Sequence, residues 1–330
     1  MTADSGLFRL SAPQSSFQVE QDLPRLGVGG RSRIESDIKI KEDGRTSSEN
    51  LLGERGLKVT FWGVRGSFPC PRLSHIRYGG NTSCVSVQCG NQSIVFDAGT
   101  GIRGFGQWLM QQSQRRLHVL LSHVHWDHIN GFPFFDPVYK SDFNIHVWAG
   151  SLSQQGQSIQ AIMSQQMQGP TFPISLESLP ASLQFTDFKA GDTFDLEGGI
   201  RIRTTALAHP NHATAYRVEY QGASFCYVTD TEHREGTLDP GILSLIRGAD
   251  LVVYDSTYTD AEYATRVGWG HSTWQEGVRL AVAADARRLA IFHHDPDHDD
   301  DFMDQVAAEA ADLWPGAFVA TEGAVIELTG

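Results

Sequence analysis

The stretch LLSHVHWDHINGF, residues 120–132, sets three histidines and an aspartate (His123, His125, Asp127 and His128) within six positions, directly behind the apolar run LHVLL. A chain leaving a sheet at that point can aim alternate side chains into one cleft. Imidazole and carboxylate together suit zinc, iron or manganese. Further groups of the same chemistry follow later apolar runs: His209 after RTTALA, Asp230 after FCYVT, and His293 or His294 after RLAIF. If those runs are strands lying side by side, all seven groups converge on one edge, enough for two metal ions with open positions.

From Leu57 onward the chain consists of short β-branched or aromatic runs punctuated by glycine: LKVTFWG, CVSVQCG, SIVFDAGTG, LHVLLSH, FNIHVWAG and IRIRTTALAH. A second series, TAYRVEY, ASFCYVTD, DLVVYDST, RLAIFHH and AVIEL, repeats the rhythm and predicts two β-rich halves. Between them GIRGFGQWLMQQS, LSQQGQSIQAIMSQQM, HSTWQEGVRLAVAADA and DDDFMDQVAAEAADLW carry apolar residues three and four apart, which predicts helices covering the outer faces of sheets. Residues 1–56, rich in Ser, Gln, Gly, Arg and Glu without a sustained period, read as a flexible N-terminal extension to a domain spanning 57–330.

A formal net charge of −13 disfavours long nucleic acids as partners. Cys70, Cys84, Cys89 and Cys226 lack the paired spacing of a structural zinc site and are too sparse for a disulfide scaffold. No window approaches the roughly 20 apolar residues of a membrane span, and the first residues lack the basic start and apolar run expected of a signal peptide. The expectation is a cytoplasmic protein that does not enter membranes; a homodimer stays open.

HVHWDH with the later His209, Asp230 and His293, and the upstream FDAGTG, resembles the metallo-β-lactamase fold superfamily over about residues 58–330. The resemblance implies an α+β fold, a four-layer αββα sandwich with a two-metal site at one edge. It implies that His123, His125 and His209 hold one divalent ion, that Asp127, His128 and His293 hold the second, and that Asp230 bridges them. The ions are zinc first, with manganese or iron as the other candidates. His294 competes with His293 for the last place, and otherwise faces the substrate. Asp97, closing SIVFD, resembles the aspartate that orients the metal loop by hydrogen bonds. Two ions sharing a water would lower its pKa from about 15.7 towards about 7 and so generate a hydroxide nucleophile.

GWGHSTWQEGVRLA, residues 268–281, resembles the HST stretch of the ribonuclease Z and phosphodiesterase branch, and FWGVRGSFPCP, YGGNTSC and YDSTYTDAEY look like the same branch. His271 matches the histidine that assists the leaving group, while Ser272 or Thr273 also suits a helix cap. Arg65 suits either a phosphate oxygen or a surface ion pair. Asp255 and Tyr258 read as packing residues, and the acid-rich DPDHDDDFMD, residues 295–304, as a solvated helix start.

The function expected is a dinuclear hydrolase, with Asp127 and His271 in the catalytic machinery, cleaving a small or cyclic phosphodiester. The alternatives are a ribonuclease Z-like nuclease maturing transfer RNA 3′ ends, a lactone or thioester hydrolase, and a metal-loaded binding or sensing module without turnover. Against the nuclease, residues 151–180 contain no Lys or Arg with which to grip RNA.

Overall fold

Runs such as SFCYV and LVVYD have no polar alternation, so a sheet built from them must be covered on both faces. The computed structural model, which describes residues 56–152 and 156–330, covers them in that way. The strands are β1 (Leu57–Gly63), β2 (Cys84–Cys89), β3 (Gln92–Phe96), β4 (Arg116–Leu121), β5 (Asn144–Ala149), β6 (Ser182–Asp187) and β7 (Thr193–Leu196). They continue with β8 (Ile200–Leu207), β9 (Ala213–Tyr220), β10 (Ala223–Val228), β11 (Leu251–Asp255), β12 (Leu289–Phe292), β13 (Ala317–Val319) and β14 (Val325–Leu328). One seven-stranded sheet has the order β14-β1-β2-β3-β4-β5-β6 and the other the order β13-β12-β11-β10-β9-β8-β7.

The sheets face each other across a core that includes Phe61, Phe96, Tyr216, Phe225, Tyr227 and Phe292. Helices α1 (Ile102–Leu109), α2 (Trp126–Ile129) and α3 (Ile159–Gln166) pack buried side chains on the outside of the first sheet. Helices α4 (Pro240–Ile246), α6 (Trp274–Ala283) and α7 (Asp300–Leu313) do so on the second, while α5 (Asp260–Tyr263) is a single capped turn. The result is the αββα order anticipated from the sequence. No helix among the described residues is long and apolar enough to cross a membrane. The extension expected at 1–56 lies outside the described residues except for Gly56.

Phe96 sits at the centre of the inner core, its ring 5.5 Å from Tyr216, 5.5 Å from Phe225 and 5.2 Å from Tyr227. Phe96→Ala is therefore expected to destabilise the fold by about 3–5 kcal/mol, read from the urea unfolding midpoint. A shift below about 1 kcal/mol would mean that the two sheets do not meet there.

Two expectations are corrected. IRIRTTALAH, grouped with the first series, forms β8 and pairs with β9 in the second sheet. AVIEL does not extend the second sheet: β14 pairs antiparallel with β1, Leu57 opposite Leu328, so the end of the chain closes the first sheet. Strands β6 and β7 were not anticipated because SLQFTD and TFDL lie at sheet edges and leave polar side chains exposed. The short β13 was missed as well.

Candidate metal centre

Six acidic or imidazole groups of the site stand at or just beyond the C-terminal end of a strand: Asp97 after β3, His123 after β4, His209 after β8, Asp230 after β10, Asp255 at the end of β11 and His293 after β12. Parallel pairing of β3 with β4, of β10 with β11 and of β11 with β12 brings neighbouring ends to the same edge. Asp97, Asp230 and His293 take left-handed backbone conformations (φ 59°, 56° and 62°). Such conformations cost about 1–3 kcal/mol for a residue other than glycine and persist only where the surroundings impose them. Here each reverses the chain at the sheet edge and turns a ligand-type side chain inward.

Two donor groups that share no residue result, His123, His125 and His209 in one and Asp127, His128, Asp230 and His293 in the other, with the donor atoms of each within 4.8 Å of one another; His271 lies as close to His209 and Asp230, and to Asp255 and His293. The carboxylate of Asp230 faces both. Its Oδ1 lies 3.7 Å from Nε2 of His123 and 3.7 Å from Nε2 of His209. Its Oδ2 lies 3.1 Å from Nε2 of His128 and 3.3 Å from Nε2 of His293. Asp127 Oδ2 stands 3.2 Å and 3.4 Å from the same two nitrogens and accepts the backbone N–H of Ser67 at 2.8 Å.

Hydrogen bonds behind the cluster fix which ring nitrogen faces inward. His128 Nδ1 donates to Asp97 Oδ2 at 2.7 Å, and His209 Nδ1 donates to the carbonyl of Gly270 at 2.7 Å. His123 Nδ1 meets Ser122 Oγ at 3.0 Å, and His293 Nδ1 meets Thr257 Oγ1 at 3.0 Å. Asp97 is fully buried and also accepts the Ser122 backbone N–H at 2.7 Å and the Tyr227 hydroxyl at 2.9 Å. Glycine is required at two close approaches. A Cβ on Gly66 would lie 2.3 Å from the His293 ring, and one on Gly270 (φ +83°) 2.6 Å from His209 Nδ1.

The donor set fits divalent cations. His123 Nε2 is buried without a hydrogen-bond partner, a costly state for a polar atom unless something else satisfies it. Burial, together with neighbouring imidazoles, holds His123 well below the ordinary histidine range and lowers His125 and His209, so their lone pairs are available. His128 behaves oppositely. Burial resists its protonation, but Asp230, Asp127 and Asp97 outweigh that and raise it well above the ordinary value. Asp230 stays ionised despite burial because His128, His293 and His123 surround it. The second group therefore draws positive charge into itself.

His271 stands beside both groups, its ring 4.9 Å from that of His293 and 5.3 Å from that of His209. Its Nδ1 donates to Asp255 Oδ2 at 3.0 Å. Burial disfavours the imidazolium, yet the charge and hydrogen bond of Asp255, helped by Asp230 and Asp127, outweigh it and raise His271 to about 9. The packing role read for Asp255 is thus corrected: it is buried and holds His271, with Thr257 Oγ1 donating to its other oxygen at 2.8 Å. Thr273 caps α6, accepting from Glu276 N at 3.1 Å, so the HST stretch places a histidine and starts a helix at once.

Two candidates lie elsewhere. His294 is fully buried, donates Nε2–H to the carbonyl of Ala320 at 2.9 Å, joins neither donor group and is lowered by burial to about 3. It is therefore neither the last ligand nor a substrate contact. Arg65 is fully buried too, with Nε on the Gly79 carbonyl at 2.8 Å and Nη1 on the His298 carbonyl at 2.6 Å. It ties loops together and makes no surface ion pair. The acid-rich run also differs from a simple solvated helix start. Asp299 does cap α7, but Asp300 is buried and accepts the backbone N–H of Arg77 at 2.9 Å.

Glu232 went unread in the sequence. Its carboxylate accepts the backbone N–H groups of Gly268 and Gly270, both at 2.7 Å, and so holds the segment that supplies the carbonyl for His209. Its place two residues beyond Asp230 was the only hint. Asp97→Asn, which removes one acceptor from the shell behind His128, is expected to weaken metal affinity about 10- to 100-fold in a chelator competition titration. Unchanged affinity would show that His128 does not depend on that hydrogen bond.

A two-sheet sandwich with an imidazole and carboxylate cluster at one edge defines a metal-dependent hydrolase of the metallo-β-lactamase fold. The model of the β-lactamase superfamily domain matches residues 92–294, and the chain belongs to that superfamily. It is 23% identical over 335 residues to a protein named ribonuclease Z from Natronomonas pharaonis, covering 82% of this chain and 98% of that one. Among solved structures, the metallo-β-lactamase fold protein YhfI from Bacillus subtilis superposes with a TM-score of 0.63 at 19% identity, over 83% of this chain and all of that one. A diphosphatase of the PhnP family superposes with a TM-score of 0.60 at 15% identity, over 82% of this chain and 97% of that one. Both support the fold.

Proposed function

We propose that this protein is a dinuclear phosphodiesterase that hydrolyses a small or cyclic phosphodiester. In this reading His123, His125 and His209 would hold one divalent ion and Asp127, His128 and His293 the other, with Asp230 facing both groups. Divalent ions, when bound, would supply a water of lowered pKa and positive charge beside the phosphate. Ser67, through its backbone N–H, fixes one oxygen of Asp127. Asp255 keeps a proton on Nδ1 of His271 and favours the imidazolium, which can then give a proton from Nε2 to a departing alkoxide.

The observation that carries the reading is the pairing of His271 with Asp255 at 3.0 Å beside the junction of the two donor groups. An alkoxide leaving group needs such an acid. A thioester expels a thiolate that needs no such acid and a binding module transfers no proton, whereas a lactone also expels an alkoxide, so the lactone is separated from the diesters by turnover alone. The names ribonuclease Z and diphosphatase among the similar proteins point to phosphate esters as well. The charge of −13 and the absence of Lys and Arg over residues 151–180 favour a small substrate over transfer RNA. Four unpaired cysteines, all buried, agree with a reducing cytoplasm.

The test is hydrolysis by the zinc- or manganese-loaded protein of bis(p-nitrophenyl) phosphate and a 3′,5′-cyclic nucleotide, compared with a lactone and a precursor transfer RNA. Preference for the small diesters is expected. Turnover of the lactone alone, or efficient cutting of the transcript at low enzyme concentration, would overturn the reading.

A further inference from the structure

We infer that Phe68, Trp126 and Trp269 form a stacking rim around the metal centre and that the substrate carries a nucleobase; this rests on the phosphodiesterase reading above. The three side chains are 68%, 84% and 59% exposed, and none joins the three buried cores of the described residues. Large rings left exposed on segments that carry a site mark a surface that meets something.

Each ring is carried by a different segment that grips the cluster. Trp126 stands between the donors His125 and Asp127 at the start of α2. Phe68 follows Ser67, whose backbone N–H binds Asp127, and Gly66, which closes against the His293 ring. Trp269 precedes Gly270, the carbonyl partner of His209, in the segment clamped by Glu232. Donors of both groups therefore have a ring nearby along the backbone. A base bonded through its ribose to a phosphate at the cluster lies in the zone these segments border.

Charge favours the same occupant. The guanidinium of Arg266 lies 4.9 Å from the Trp269 ring centroid, which steadies that ring and adds a cation beside an anionic substrate on a chain of net charge −13. Stacking on aromatic side chains tolerates any base, because every base has a π-face. The rim thus selects a nucleotide diester without selecting among bases.

The experiment compares adenosine 3′,5′-cyclic monophosphate with its base-free counterpart, 1-O-methylribose 3′,5′-cyclic phosphate, on the metal-loaded full chain. Preference is read as KM where turnover occurs and as Kd by calorimetry where it does not, so failure of the reaction and failure of the rim are seen separately. The native protein is expected to favour the base-bearing ligand by about tenfold or more. W126A, W269A and F68A each erode that preference, the triple variant abolishes it, and W126F retains most of it. No native preference, or a triple variant of native circular dichroism that keeps it, would overturn the inference. So would rim variants that change only the oligomeric state, because the rings would then cover a second copy of the chain.

Discussion

Asp230→Ala is expected to strip metal from both halves of the cluster and to lower kcat/KM by on the order of 10³-fold or more. The reason is its position. A single carboxylate, 2% exposed, faces His123 and His209 with one oxygen and His128 and His293 with the other. Without it the two groups are left with five imidazoles and the single carboxylate of Asp127, and cations brought together there would repel one another unscreened. Asp230→Asn keeps the shape and removes the charge, so it separates geometry from electrostatics. Metal content by mass spectrometry and turnover of bis(p-nitrophenyl) phosphate should fall together in both variants. Retention of two ions and native turnover in Asp230→Ala would remove this residue from the centre.

His271→Ala should behave differently. Turnover is expected to fall by about 10²- to 10⁴-fold while the metal content stays native, because the residue's part is proton transfer. The loss should depend on the leaving group. A p-nitrophenolate departs without a proton, so a diester that expels it should lose much less than a cyclic nucleotide, whose ribose alkoxide needs one. Asp255→Asn should move in the same direction by a smaller factor, since His271 remains but loses the carboxylate that raises it to about 9. Equal losses on the two substrates would assign His271 to substrate binding instead of acid catalysis.

The cluster was legible because its members announce themselves locally. Four donors fall within six residues, and the others stand at the ends of apolar runs that can hardly be anything but buried strands. The choice between His293 and His294 was harder, since neighbours at a strand end point in opposite directions. The left-handed turn at His293 sends its ring to the cluster, and His294 bonds back to Ala320. Arg65 was misread because its acceptors are backbone carbonyls, one of them on His298, 233 residues away. No side-chain pattern records such a partner. The same holds for Asp255 and Glu232, whose roles exist only once β11 and the segment before α6 are side by side. Edge strands such as β6 and β7 escaped for the opposite reason, because too little of them is buried to leave an apolar signature.

Occupancy of the two donor groups is read directly as metal per chain, by inductively coupled plasma mass spectrometry, on protein dialysed against zinc and then against buffer. Two ions per native chain are predicted, falling to about one in His209→Ala, which removes an imidazole from the three-histidine group and none from the group of Asp127, His128, Asp230 and His293. A native chain that retains no zinc, or a His209→Ala chain that still holds two ions as tightly as native, would contradict the account.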